Sequence, residues 1–323
     1  MKISFNPAVY EHAARFTGRT PGEVSRDADL MFEGHRAAWL EYRHTPIVVG
    51  IDIYNLEAEA YGAHIEDPGD HGIPAIRQPL CTTLDDALEL PPFDPARDGR
   101  LAMVIGVGRR LAAALPQADV RIPVAGPFSI GFNLLGIGQL CEATALRPTD
   151  VARWLMQLAE NQTLFTKAVA AAGLDVTFFE SAAAPPLLSP RQFHEVELPA
   201  LRHILERTAS VVGHPVPCIM GGNTYLILDD ILSTGTGYVI ANVETNQQAF
   251  VDRLCRTHPH VNVRINMDHR LVASKDHPAI LREVDRILGI AAGRPNCMLG
   301  TGVLPFDTPP ENIRLIKEYL NNE

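Results

Sequence analysis

The sequence lacks the marks of several protein classes. No run of basic residues follows a phosphate backbone, and the formal net charge is −10, which argues against a nucleic-acid partner. No apolar stretch reaches the roughly 18–20 residues that a bilayer span needs. The opening Met1-Lys2-Ile3-Ser4-Phe5-Asn6-Pro7 has no apolar leader core, so a cytoplasmic location is expected. Cysteine is sparse: Cys81, Cys141, Cys218, Cys255 and Cys297 are odd in number and include no Cys-x-x-Cys. A disulfide framework is therefore not expected. No glycine-rich phosphate loop follows the first strand-like run. Gly106-Val107-Gly108 lacks the third glycine and falls inside a helical stretch, residues 97–115. No nucleophile elbow is present, and the histidines form no tight ligand pattern.

The 323 residues are 46% hydrophobic and 20% charged, which is the composition of a folded chain. Short, near-continuous apolar runs recur at 47–53, 120–125, 174–180, 216–220, 238–241, 261–266 and 296–299. Parallel strands covered on both faces read this way. Helical patterns lie between them at 148–172, 190–212 and 277–292, with proline near the start and glycine just past the end. Alternating strands and helices imply a parallel α/β fold. Polar residues at the strands' C-terminal ends, Asp52, Glu180, Asn223, Glu244 and Asp268, favour a (β/α)8 TIM-type barrel over a doubly wound sheet. On this reading residues 1–45 form an N-terminal helical extension, and residues 46–323 form one barrel domain. Residues 63–100, rich in proline, aspartate and glycine, make a lid-like excursion.

Several segments resemble those of one family. Val124-Ala125-Gly126-Pro127-Phe128-Ser129-Ile130 is similar to a Gly-Pro-Phe-Thr segment after an early strand. Phe179-Glu180-Ser181, followed by Leu188-Ser189-Pro190-Arg191-Gln192-Phe193, is similar to an acidic strand end and a helix start. Gly221-Gly222-Asn223-Thr224 and Asn266-Met267-Asp268 resemble two further strand-end turns. Gly300-Thr301-Gly302-Val303-Leu304-Pro305, with Thr308-Pro309-Pro310-Glu311-Asn312-Ile313, is close to a C-terminal signature. In this order, over roughly residues 47–323, they resemble the uroporphyrinogen decarboxylase superfamily. That superfamily includes the decarboxylase and the methyltransferases that work with corrinoid proteins.

The resemblance implies a barrel whose site lies at the strands' C-terminal mouth. It favours methyl transfer between a small methylated compound, such as an aryl methyl ether, and cobalamin carried by a partner protein. A monomer or homodimer is implied. Asp52 and Glu180 are the expected catalytic carboxylates. Arg15-Phe16-Thr17-Gly18-Arg19 keeps the spacing of the decarboxylase arginines, so Arg15 and Arg19 are candidate substrate ligands with Asn223, Glu244, Asp268 and Thr301. Thr301 stands where the signature has histidine. The methyltransferases' zinc set, His-x-Cys and a distal Cys, falls here on Ile219, Gly221 and Thr301 and is absent. A displaced zinc site would use Cys218, Cys297 and Glu180; otherwise both cysteines are core residues. The alternatives are a cofactor-free lyase acting on a tetrapyrrole and a non-catalytic tetrapyrrole- or corrinoid-binding barrel.

Overall fold

A computed structural model of the chain describes residues 3–322. The apolar runs form short parallel strands: β1 (Ser4–Ala8), β2 (Ile47–Val48), β3 (Val120–Ala125), β4 (Asp175–Glu180), β5 (Cys218–Met220), β6 (Tyr238–Ala241), β7 (Asn262–Met267) and β8 (Cys297–Val303). They hydrogen-bond in two four-stranded sheets, in the orders β1-β8-β7-β6 and β2-β3-β4-β5. Every pairing is parallel. The two sheets are the halves of a (β/α)8 barrel, with seams between β1 and β2 and between β5 and β6. Asn242 Nδ2 bridges the second seam to the carbonyls of Met220 (3.2 Å) and Gly222 (3.4 Å).

The helices follow the punctuation in the sequence. Pro148–Ala171 starts on its proline and is followed by Gly173 at φ 74°. Leu198–Val212 ends at Gly213 at φ 85°, the left-handed conformation glycine adopts without penalty. His277–Ala291 is capped by Asp276, whose side chain accepts from Ala279 N. Within residues 1–45, Glu11–Thr17, Pro21–Arg26 and Ala28–Tyr42 are helical.

One strand was not expected. Ser4–Ala8 lies in the stretch read as a helical extension, yet it pairs with β8 inside the barrel. Ser-Phe-Asn-Pro-Ala carries no apolar run, and Pro7 has no N–H to give a ladder. The strand tolerates it because one edge faces an unbonded seam. The register shifts between Asn6 and Ala8, and Ala8 N donates instead to Thr301 Oγ1 at 3.0 Å.

Side chains alternate across each strand. One set packs under the helices in the main core, which includes Phe178, Cys218, Met220, Val263, Ile265 and Leu299. The other lines the barrel interior in a smaller cluster of Ala8, Tyr10, Val48, Ile53, Phe179, Ile219 and Ile240. The excursion meets the loop after β8 through His71, whose ring lies 4.5 Å from that of Phe306. No helix among the described residues is long and apolar enough to cross a membrane.

Gly126 shows how tightly the strand ends meet the helices. A Cβ there would come within 2.8 Å of Glu180 Cβ and closer still to its carboxyl. Gly126→Ala is expected to cost about 1–3 kcal/mol of stability by overpacking, read as a fall in urea midpoint. An unchanged midpoint would show that Glu180 can move aside.

Candidate functional site

Alternation decides which polar residues reach the barrel interior. On β4, Thr177 and Phe179 point inward; on β6 and just past it, Ile240 and Asn242 do; on β7, Arg264 and Asn266 do. At the C-terminal mouth these residues other than Thr177, with Tyr10, Tyr54, Ser181 and Val303, enclose a cavity of about 110 Å³. Phe179 sits edge-on to Tyr10 (centroids 5.6 Å apart) and Tyr54 (5.9 Å), giving the cavity an aromatic wall. Asn266 Nδ2 donates to Asn242 Oδ1 at 2.8 Å. The Asn266 Oδ1 is buried without a partner. Gly300 makes room here: a Cβ would lie 2.8 Å from Asn266 Oδ1 and would overlap the methylenes of Arg264.

Arg264 forms the floor of this mouth and lines a second cavity of about 510 Å³ that opens among the strands' N-terminal ends. Tyr10 and Ile219 line both spaces as well. Burial pushes the Tyr10 hydroxyl up to about 12, so it stays protonated at neutral pH. Glu11, the next residue, is largely desolvated and its carboxyl is pushed up to about 7. It follows Tyr10, which lines the mouth, and its charge is a minor influence on Tyr10 and Tyr54. A carboxyl that keeps its proton near neutrality, next to a cleft, is the kind of group that general acid chemistry uses.

The expected carboxylates sit elsewhere. Asp52 is 3% exposed and is clamped by Arg100, with Nη1–Oδ1 at 2.8 Å and Nη2–Oδ2 at 2.7 Å. Asn55 Nδ2 adds a third bond at 3.0 Å. Arg100 also holds Glu59 at 2.6 Å and the carbonyl of Ser25 at 2.7 Å. Asp52 thus ties the loop after β2 to the N-terminal helices and does not line the mouth. Glu180 is fully buried on the helix side of β4. It accepts from Phe128 N (3.1 Å), Ser129 Oγ (2.5 Å) and Ala182 N (3.3 Å). Burial raises its pKa, and Glu197 beside it is raised well above the usual carboxylate range by burial and by the charge of Glu180.

The cysteines do not meet. Cys218 faces the same helix layer, where burial and then the Glu180 and Glu197 charges push its thiol up. Cys297 opens β8 at the opposite end of the barrel, near Cys255 and Arg294. Among the described residues no three His, Cys, Asp or Glu side chains are placed to hold a metal, so Cys218, Cys297 and Glu180 do not fit a zinc ion. Arg15 and Arg19 are 38% and 59% exposed and pair loosely with Asp307 (3.8 Å) and Glu23 (3.7 Å). Asn223 and Asp268 cap turns, accepting from Tyr225 N (3.2 Å) and Arg270 N (2.8 Å). Glu244 is exposed. Thr301 serves the β1–β8 ladder.

The residues that do line the interior left one visible signal. Asn262, Arg264 and Asn266 alternate through β7 between Val263, Ile265 and Met267, which is the pattern of a strand with one polar face.

A parallel barrel with polar groups gathered at the interior of its C-terminal mouth is the framework of a β/α-barrel enzyme. The chain belongs to the uroporphyrinogen decarboxylase family, whose model matches residues 7–322. Among solved structures, a methyltransferase from Methanosarcina mazei is similar over 99% of this chain and 94% of its own, at 18% identity and a TM-score of 0.82. A Listeria monocytogenes protein, provisionally assigned as a vitamin-B12-independent methionine synthase, is similar over 99% and 96%, at 10% identity and a TM-score of 0.53. At these identities the likeness is one of fold. No curated protein sequence matches the chain.

Two outcomes follow. Asp52→Ala leaves Arg100 buried without its main partner and is expected to cost about 3–5 kcal/mol of stability, measured by chemical denaturation. A loss of activity at unchanged stability would instead make Asp52 a chemical participant. The second concerns Glu57, which is buried, accepts from Ala125 N at 2.7 Å and has its carboxyl pushed up from 4.5 to about 7 by desolvation. Its proton is held more tightly in the folded chain. The stabilisation is therefore complete below pH 4.5 and is lost as pH rises to about 7. Wild type should lose melting temperature relative to Glu57→Gln across that window; a constant difference would refute the assignment.

Proposed function

We propose that the protein is a methyltransferase that moves a methyl group between a small methylated compound and a corrinoid carried by a partner protein, at the C-terminal mouth. The observation that carries this reading is the size of the mouth. Its 110 Å³ is well below the roughly 300–1,000 Å³ of pockets for drug-sized ligands. A tetrapyrrole macrocycle does not enter it, whereas the methyl-bearing end of a small ether does. The surface around the mouth supports a macromolecular partner. Leu187, Leu226 and Val243 are 41%, 66% and 42% exposed, and they lie on the loops that follow β4, β5 and β6. Exposed large apolar side chains on three successive loops suit a docked protein. The whole-chain likeness to the Methanosarcina mazei methyltransferase agrees with this reading.

The partner's corrinoid supplies the metal centre that gives or takes the methyl group. The chain's own residues do the rest. Tyr10, Tyr54 and Phe179 wall the methylated molecule and exclude water. Asn242 and Asn266, locked to each other, offer a fixed acceptor at Asn266 Oδ1. Glu11 holds a proton near neutral pH and hands it to the oxygen that an ether leaves behind when its methyl departs. Cys218, Cys297 and Glu180 do not gather into a zinc site, so no step is assigned to them.

The test mixes the full chain with a reduced corrinoid protein and a panel of aryl methyl ethers, and follows the corrinoid absorbance. The expected result is a donor-dependent spectral change whose rate falls as pH rises past about 7, the pKa of Glu11. In Glu11→Gln the rate is lower and this limb is lost. Decarboxylation of uroporphyrinogen, with no methyl transfer from any donor, would overturn the reading.

A further inference from the structure

Arg264 is 5% exposed, and among the described residues it has no carboxylate partner. Its Nε is buried with no hydrogen-bond partner. The groups around it are the phenol side chains of Tyr10, Tyr54 and Tyr238, of which Tyr10 hydrogen-bonds it. The other arginine of the 510 Å³ cavity, Arg121, pairs with Asp119 at 2.9 Å and Asp175 at 3.6 Å. A buried guanidinium without a counter-ion is costly unless something else neutralises it.

Two more atoms point the same way. Thr177 and Asn6 line the same cavity, and Thr177 Oγ1 and Asn6 Oδ1 are buried without partners. Three buried polar atoms without partners, on residues that line one cavity, need an explanation, since buried polar groups are otherwise satisfied. Tyr238, Ile219 and Met298 supply apolar wall.

We propose that the barrel interior binds a small monocarboxylate, its acid group on the Arg264 guanidinium with the Thr177 hydroxyl as a second donor, and its apolar body in the 510 Å³ cavity. A lone inorganic anion would satisfy Arg264 but leave the apolar walls empty. Arginine is the side chain suited to a planar carboxylate, which it grips with paired N–H groups. The inference stands apart from methyl transfer, because it is tested by binding alone.

The experiment is calorimetric titration of the full chain in low-chloride buffer with benzoate and with benzamide, its neutral analogue. Benzoate should bind saturably and at least about tenfold more tightly than benzamide, as a charge-assisted bond to a buried cation implies. Arg264→Gln should lose that advantage and leave benzamide binding unchanged, while Arg264→Lys keeps part of it. Thermal melts of both variants report whether they fold, and the benzoate–benzamide comparison in the wild type needs no variant. Equal binding of the two ligands, benzoate affinity that survives in Arg264→Gln, or no benzoate binding to the wild type overturns the proposal.

Discussion

The structure depends on one constraint: in a closed barrel of parallel strands, every second side chain faces the interior and its neighbours face the helices. A displacement by one residue along a strand moves a group from the site to the supporting layer. Glu180 and Cys218 fall on the helix side, next to Phe128 and Glu197, while Phe179 and Ile219, one position away, face the mouth. The same alternation sends Arg264 and Asn266 inward from β7. The mouth is therefore lined by few charged groups, Arg264 among them.

The buried charges outside the barrel interior act as fasteners. Arg100 joins Asp52, Glu59 and the carbonyl of Ser25, so the loop after β2, the short helix Leu56–Ala60 and the N-terminal helices are held by one guanidinium. Glu180 accepts from the first turn of the helix Pro127–Leu135, where backbone N–H groups otherwise lack partners. Pairing and hydrogen bonding are what make such burial tolerable. These carboxylates position the walls of the mouth without touching its contents.

Much of the fold was legible. Apolar runs, with proline before and glycine after the helices, marked seven of the strands and the long helices, and the resemblance of the segments at 126–130 and 300–313 supplied the family. The strand Ser4–Ala8 was not legible, because Pro7 and a polar composition hide a strand that is completed by a side-chain bond to Thr301. The site was read less well. Aspartate and glutamate at strand ends draw attention, but a strand end has two faces, and composition does not say which one an acid occupies. Arg264, flanked by valine and isoleucine, looked like an interruption of an apolar run, although its alternation with Asn262 and Asn266 encodes an inward polar face.

The central claim is that function resides on the inward faces of the strands and not on the acids at their outer ends. A crystal structure of the protein grown with an aryl methyl ether tests this most directly. The account predicts ligand density inside the barrel, against Phe179 and Tyr54 and within hydrogen-bond reach of Asn266 or Arg264. Density against Asp52 or Glu180 in the helix layer, with the interior empty, would contradict it.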